Sequence, residues 1–146
     1  MNNIEEKLFT DIIFKEMDLL QGCINRMAKN SFEIKKWAIG LVGILSGLAK
    51  PESNTVFVLY LLLVLLLWWL DAYFLKLERN YRRKYNWVIA NRSQTKTNDL
   101  FDLNPQNIYY GYQNEKNNAS EYVMLSKTLL SFYGMLCLVF LIARMI

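Results

Sequence analysis

The chain has no histidine, two cysteines, two prolines and six glycines in 146 residues. Without histidine it lacks the side chain that titrates nearest neutral pH. Its carboxylates form no conspicuous pair, so acid–base and nucleophile–base catalysis are not expected. Cys23 and Cys137 lie far apart, with no CxxC and no metal-ligand cluster, which excludes a disulfide framework or a zinc site. No GxGxxG or Walker-type loop occurs, because every glycine except Gly22 and Gly111 falls within an apolar run. The sequence therefore reads as a non-enzyme with no cofactor. Its start, MNNIEEKLFTDII, is acidic and has no compact apolar stretch, so it does not read as a signal peptide.

What the chain does have is a long apolar run. Thr55–Leu70, TVFVLYLLLVLLLWWL, carries no charge, and after Asp71 the stretch AYFL continues it to Leu75, 21 residues in all. A helix needs roughly 20 residues to cross ~30 Å of hydrocarbon. A chain of 146 residues is too small to bury such a helix in a soluble core. The helical spacing then runs on through Leu77, Tyr81, Tyr85 and Val88, with neither proline nor glycine to stop it. Trp68, Trp69 and Tyr73 stand where an interfacial aromatic belt belongs, and Lys76, Arg79, Arg82, Arg83 and Lys84 follow. The expectation is one helix over 55–93, a membrane span continued by a cytosolic stem.

Residues 1–30 place Ile4, Leu8, Ile12, Ile13, Met17, Leu20, Cys23, Ile24 and Met27 at helical spacing. Glu5, Glu6, Lys7, Asp11, Lys15, Glu16 and Asp18 fill the other side, predicting an amphipathic cytosolic helix that packs on another helix. Asn30, with Glu33 at the capping-box position, either starts a second helix or is run through. The segment 31–50 reads as a first transmembrane helix around Trp37–Ala49, 13 uncharged residues, with Lys35 and Lys36 snorkelling at its edge. Gly40, Gly43 and Gly47 give it a small-residue face suited to helix packing and oligomerisation, although glycine is also common in membrane helices generally. KPESN, with Pro51, turns the chain, so the first two spans should form an antiparallel hairpin. That pairing brings Asp71 to the depth of Lys35 and Lys36. A clasp between Asp71 and one of these lysines is expected, ahead of a proton or ion site.

Residues 94–121 are rich in Asn, Gln, Ser and Thr and read as a cytosolic connector, with Leu100, Phe101, Leu103 and Ile108 as docking residues. The segment 122–146 reads as a third transmembrane helix. Fourteen Lys and Arg lie in 1–36 and 76–121, whereas only Lys50 and Arg144 fall on the opposite side. The positive-inside bias places the N-terminus in the cytosol and the C-terminus outside. The fold class is thus an all-α membrane protein: an amphipathic N-terminal helix, a two-span hairpin with a long helical stem, and a C-terminal span. The polar-capable residues near mid-membrane are Tyr60, Ser131, Tyr133 and Cys137, which argues against a hydrophilic pore within one monomer but not between subunits. The positive residues flank apolar runs, so lipid headgroups are the expected partners and a nucleic acid polymer is not. Arg79, Tyr81, Arg82, Arg83 and Tyr85 have two readings: a solvated, lipid-facing helix face, or a site for a phosphate-bearing nucleotide second messenger.

The stretches INRMAKNSFEIKKWAIGL, WWLDAYFLKLERNYRRKYNWV and LFDLNP resemble the SLATT-type two-transmembrane effectors of bacterial conflict and antiphage systems. The likeness covers residues 21–105 and leaves out the last span. Asn25, Arg26, Ser31 and Trp37 match its first half; Asp71, Tyr73, Glu78, Arg79, Tyr81, Arg82 and Tyr85 match its second. The resemblance implies an inner-membrane homo-oligomer that permeabilises or depolarises the membrane when a sensor protein or second messenger activates it. Two other functions fit the same residues: a membrane anchor or scaffold for a cytosolic partner, and a receptor subunit for a nucleotide.

Overall fold

Nothing in the first 48 residues stops a helix: there is no proline, and the glycines stand singly or three and four apart. The second apolar run and its basic continuation are likewise uninterrupted. The computed structural model, which describes residues 3–48, 54–95, 100–105 and 123–145, follows this pattern. Helix α1 spans Asn3–Leu48, α2 spans Asn54–Thr95, and α3 spans Lys127–Met145. A 3-10 turn, Val123–Leu125, precedes α3. Among the described residues every regular element is helical and there is no strand. Residues 50–53 of the expected KPESN turn and most of the 94–121 connector, including Ile108, lie outside the described residues.

Of the two readings of Asn30, the structure takes the uninterrupted one. Ser31 is buried and its hydroxyl bonds to Asp71 rather than to backbone amides. A serine that spends its oxygen elsewhere does not compete with the helical ladder. The last helix starts later than residue 122. Ser126 donates its amide to the Val123 carbonyl, closing the 3-10 turn, and its own carbonyl accepts from Leu130, which sets it as the cap of α3.

The chain divides into two compact units. One contains α1 up to Ala28, α2 from Leu77 onward, and residues 100–105. Its core is Leu20, Trp87 and Val88, with Met17, Tyr81, Tyr85 and Leu103 packed around it. Here the sequence-based side assignment of Glu16 is corrected, because Glu16 is fully buried and not on the solvent face. Its carboxylate accepts two hydrogen bonds from the guanidinium of Arg92, one of them 2.8 Å from Nε. Arg92 also lies 5.6 Å from the centre of the Trp87 ring. Residues 100–105 are held by Lys84, itself buried, whose ammonium donates to the Asn104 carbonyl at 2.7 Å and pairs with Asp102 at 3.0 Å. Leu103 faces this core, whereas Phe101 is exposed and has a positive φ of 61°.

The other unit contains the remainder of α1, the first part of α2, and α3. Ile34, Ala38 and Val42 of α1 join Tyr60, Val64, Leu67 and Ala72 of α2 and Leu129, Tyr133 and Phe140 of α3 in one core. Tyr60 reaches Leu136 and Phe140, Leu67 reaches Tyr133, and Trp68 reaches Met124. Positions rising along α2 therefore meet positions falling along α3, and these two helices pack antiparallel. By length and composition, α2 is the one described helix long and apolar enough to cross a membrane.

Removing one partner of a fully buried ion pair leaves the other charge uncompensated, at about 3–5 kcal/mol. Glu16→Ala should therefore destabilise the first unit by that order, measured by denaturant or thermal unfolding in detergent. A loss below about 1 kcal/mol would mean that Arg92 finds compensation elsewhere.

Candidate functional site

The most concentrated chemistry in the described residues surrounds Asp71, which has no exposed surface. Helical spacing puts Asp71 on the buried stripe of α2 made by residues 60, 64, 67 and 71. Ser31 and Lys35, one turn apart on α1, face it together. Lys35 Nζ lies 2.6 Å from Asp71 Oδ2 and 2.8 Å from Oδ1. Lys35 Nζ also donates to Ser31 Oγ at 2.8 Å, and Ser31 in turn donates to Asp71 Oδ1. From α3, the Tyr133 hydroxyl stands 3.2 Å from Asp71 Oδ2 and 3.2 Å from the Leu67 carbonyl, sharing one proton between them. One carboxylate thus collects donors from both neighbouring helices. Among the described residues, no buried side-chain polar atom lacks a partner.

This arrangement joins three helices through one carboxylate. The position a free cation would take beside the carboxylate is held by the Lys35 ammonium. Lys36, the alternative partner, is directed elsewhere: it pairs with Glu33 at 2.6 Å on the exposed face and lies over the Phe32 ring. Tyr133 was not anticipated in this cluster. Its signal in the sequence is its place in the spacing 129, 133, 136, 140, which repeats the spacing 60, 64, 67, 71 of α2.

Gly40 and Gly43, on the glycine face of α1, pack against none of the described residues of another helix. Gly40 and Gly43 are exposed, and a methyl group added at either would meet no atom within 4 Å. Gly47 is helical, but its surroundings are outside the described side chains. Beside Gly40 an open, apolar groove of about 250 Å³ runs between Trp37 and Ile44.

The five stem residues are divided by the fold. Tyr81 and Tyr85 pack inward on the Leu20–Trp87–Val88 core. Arg82 pairs with Glu78 at 2.8 Å and Arg83 donates to Asn80 at 2.9 Å, both within their own helix. Arg79 is half-buried. Of the aromatic residues of the stem, Trp87 carries a guanidinium over its ring, that of Arg92. Among the described residues, no group of His, Cys, Asp and Glu suits a metal ion.

No family model, curated protein or solved structure matches the chain.

A double-mutant cycle separates the two lysines. Coupling between Lys35 and Asp71 should exceed ~1.5 kcal/mol, the range for hydrogen bonds to charged groups. Coupling between Lys36 and Glu33 should stay near ~0.5 kcal/mol, as for exposed helix pairs. Equal couplings would remove Asp71 from its place as the organising charge.

Proposed function

We propose that this chain is a non-enzymatic effector of the bacterial inner membrane that oligomerises and permeabilises or depolarises the membrane during antiphage defence. What carries the reading is α2. Only 22% of its most apolar window is buried within the chain, so its leucine-rich surface faces outward, as a lipid-facing helix requires and a soluble core helix does not. Residues 31–50, 55–75 and 122–146 would be the spans, the first two an antiparallel hairpin, with the N-terminus cytosolic and the C-terminus outside. The Lys35–Asp71 pair then neutralises a charge that would otherwise sit bare near the hydrocarbon edge.

Oligomerisation would use the open Gly40, Gly43 and Gly47 face, where backbones can approach closely. The resemblance to SLATT-type effectors supports the defence role and the need for a trigger, supplied by a sensor protein or a nucleotide second messenger. The inward packing of Tyr81 and Tyr85 disfavours the stem as that nucleotide's site. A second reading, a membrane anchor for a cytosolic partner, draws on the exposed Ile4, Leu8, Phe14 and Ile89 of the cytosolic helices.

Expression of the full chain should collapse membrane potential and admit dye, alone or with its genomic neighbours under phage challenge. A polarised, growing culture in both settings would favour the anchor. Gly43→Leu should shift the detergent-solubilised assembly toward smaller species by size-exclusion light scattering. An unchanged assembly size would show that this face is not the contact.

A further inference from the structure

If the spans of several copies conduct, water must follow polar groups, and those available on α2 and α3 are few. Tyr60, Asp71 and Tyr133 are all buried, each at 1% exposure or less. All three lie on the seam where α3 covers α2. Over residues 58–66 of α2 and 135–142 of α3 the exposed residues are Leu, Val, Ile and Met, among them Val58, Leu62, Leu65 and Leu66 on α2, and Met135 and Leu138 on α3. Such surfaces close a pore by dewetting and do not line a wet one.

The seam is built as a reversible contact. Tyr60 of α2 donates to the Leu136 carbonyl of α3 at 2.7 Å, and Tyr133 of α3 donates back toward the Leu67 carbonyl of α2. Trp68 Nε1 donates to the Met124 carbonyl at 3.0 Å. Tyr60 stacks on Phe140 with ring centres 3.7 Å apart, and Trp68 stacks on Tyr133. Each of these hydrogen bonds joins a side chain to a helix carbonyl that keeps its place in the backbone, so separation breaks no secondary structure.

We propose that α3 is an autoinhibitory cover: it occupies the one polar stripe of α2, and its undocking presents Tyr60, Trp68 and Asp71 to the α2 stripes of other copies around a water-filled path. The cover rests on the effector reading. Undocking into lipid is disfavoured, because Asp71 would lose Tyr133 and face hydrocarbon. The uncovered stripe is stable only where copies meet around water, so undocking and assembly proceed together.

The test uses the full chain in phospholipid vesicles loaded with dye, with photoreactive benzoylphenylalanine replacing Phe140. Irradiation should join α3 to α2 within one chain and abolish dye release, whereas the unirradiated protein releases dye. Adding Tyr133→Phe, which keeps the ring on α3 and removes only the hydroxyl that reaches α2, should raise the undocked population several-fold. Intramolecular cross-link yield should fall and release should accelerate. Release that persists after cross-linking, or a yield unchanged by the substitution, overturns the cover. Failure of the effector reading looks different: no form releases dye, although the substitution still lowers the cross-link yield.

Discussion

A buried carboxylate must be met by donors or it will not stay charged, and at Asp71 this requirement organises the unit around it. Satisfying both oxygens takes Ser31 and Lys35 from one helix and Tyr133 from another. The donors cannot be supplied unless α1 and α3 sit at one register against α2. A one-turn slip of α1 would move Lys35 by ~5.4 Å and strand the charge. Apolar packing alone would not fix the register so firmly, since leucine surfaces slide past one another at modest cost.

The same device recurs in the other unit with different chemistry. Glu16 and Arg92 take positions that the helical spacing would otherwise give to apolar residues, and Lys84 anchors residues 100–105 through Asp102 and the Asn104 carbonyl. Buried ion pairs add little net stability compared with apolar substitutes, because desolvation offsets their attraction. What they do supply is discrimination, since a polar residue at a seam position penalises every pairing except the one that satisfies it. Phe101 belongs to this economy of constraints. Its positive φ, strained for a bulky side chain, sits beside a backbone that Lys84 and the Asp102–Asn104 turn hold immediately after it.

These constraints divide the molecule's surfaces by use. The faces of α1, α2 and α3 that turn inward are saturated, with polar atoms paired and rings stacked. In the unit built around Asp71 the outward faces are largely apolar, above all the leucine surface of α2 and the groove at Gly40, whereas the other unit exposes charges such as Glu5, Lys7, Asp11 and Arg82. The effector function proposed above draws on this division: lipid or another copy would exchange on the open faces at little cost, while rearranging the saturated faces requires hydrogen bonds to be broken.

The sequence by itself determined the helices and the long apolar run, because spacing and the scarcity of breakers are local properties read over a few turns. It also placed Asp71 opposite two lysines, since a short turn between apolar runs constrains which residues share a depth. Only the tertiary structure decided between those lysines: adjacent residues on a helix point about 100° apart, and the rotation that aims Lys35 inward sends Lys36 to Glu33. It alone joined Tyr133 to Asp71, 62 positions away: helical spacing marks Tyr133 as part of a packed stripe but does not name the partner it meets. It also turned Glu16 from the solvent face to the core, because the partner that makes its burial tolerable, Arg92, lies 76 positions away. Residue type and period fix what each segment can become. Which charges meet is fixed by how the segments rotate against one another, and that is a property of the packed chain.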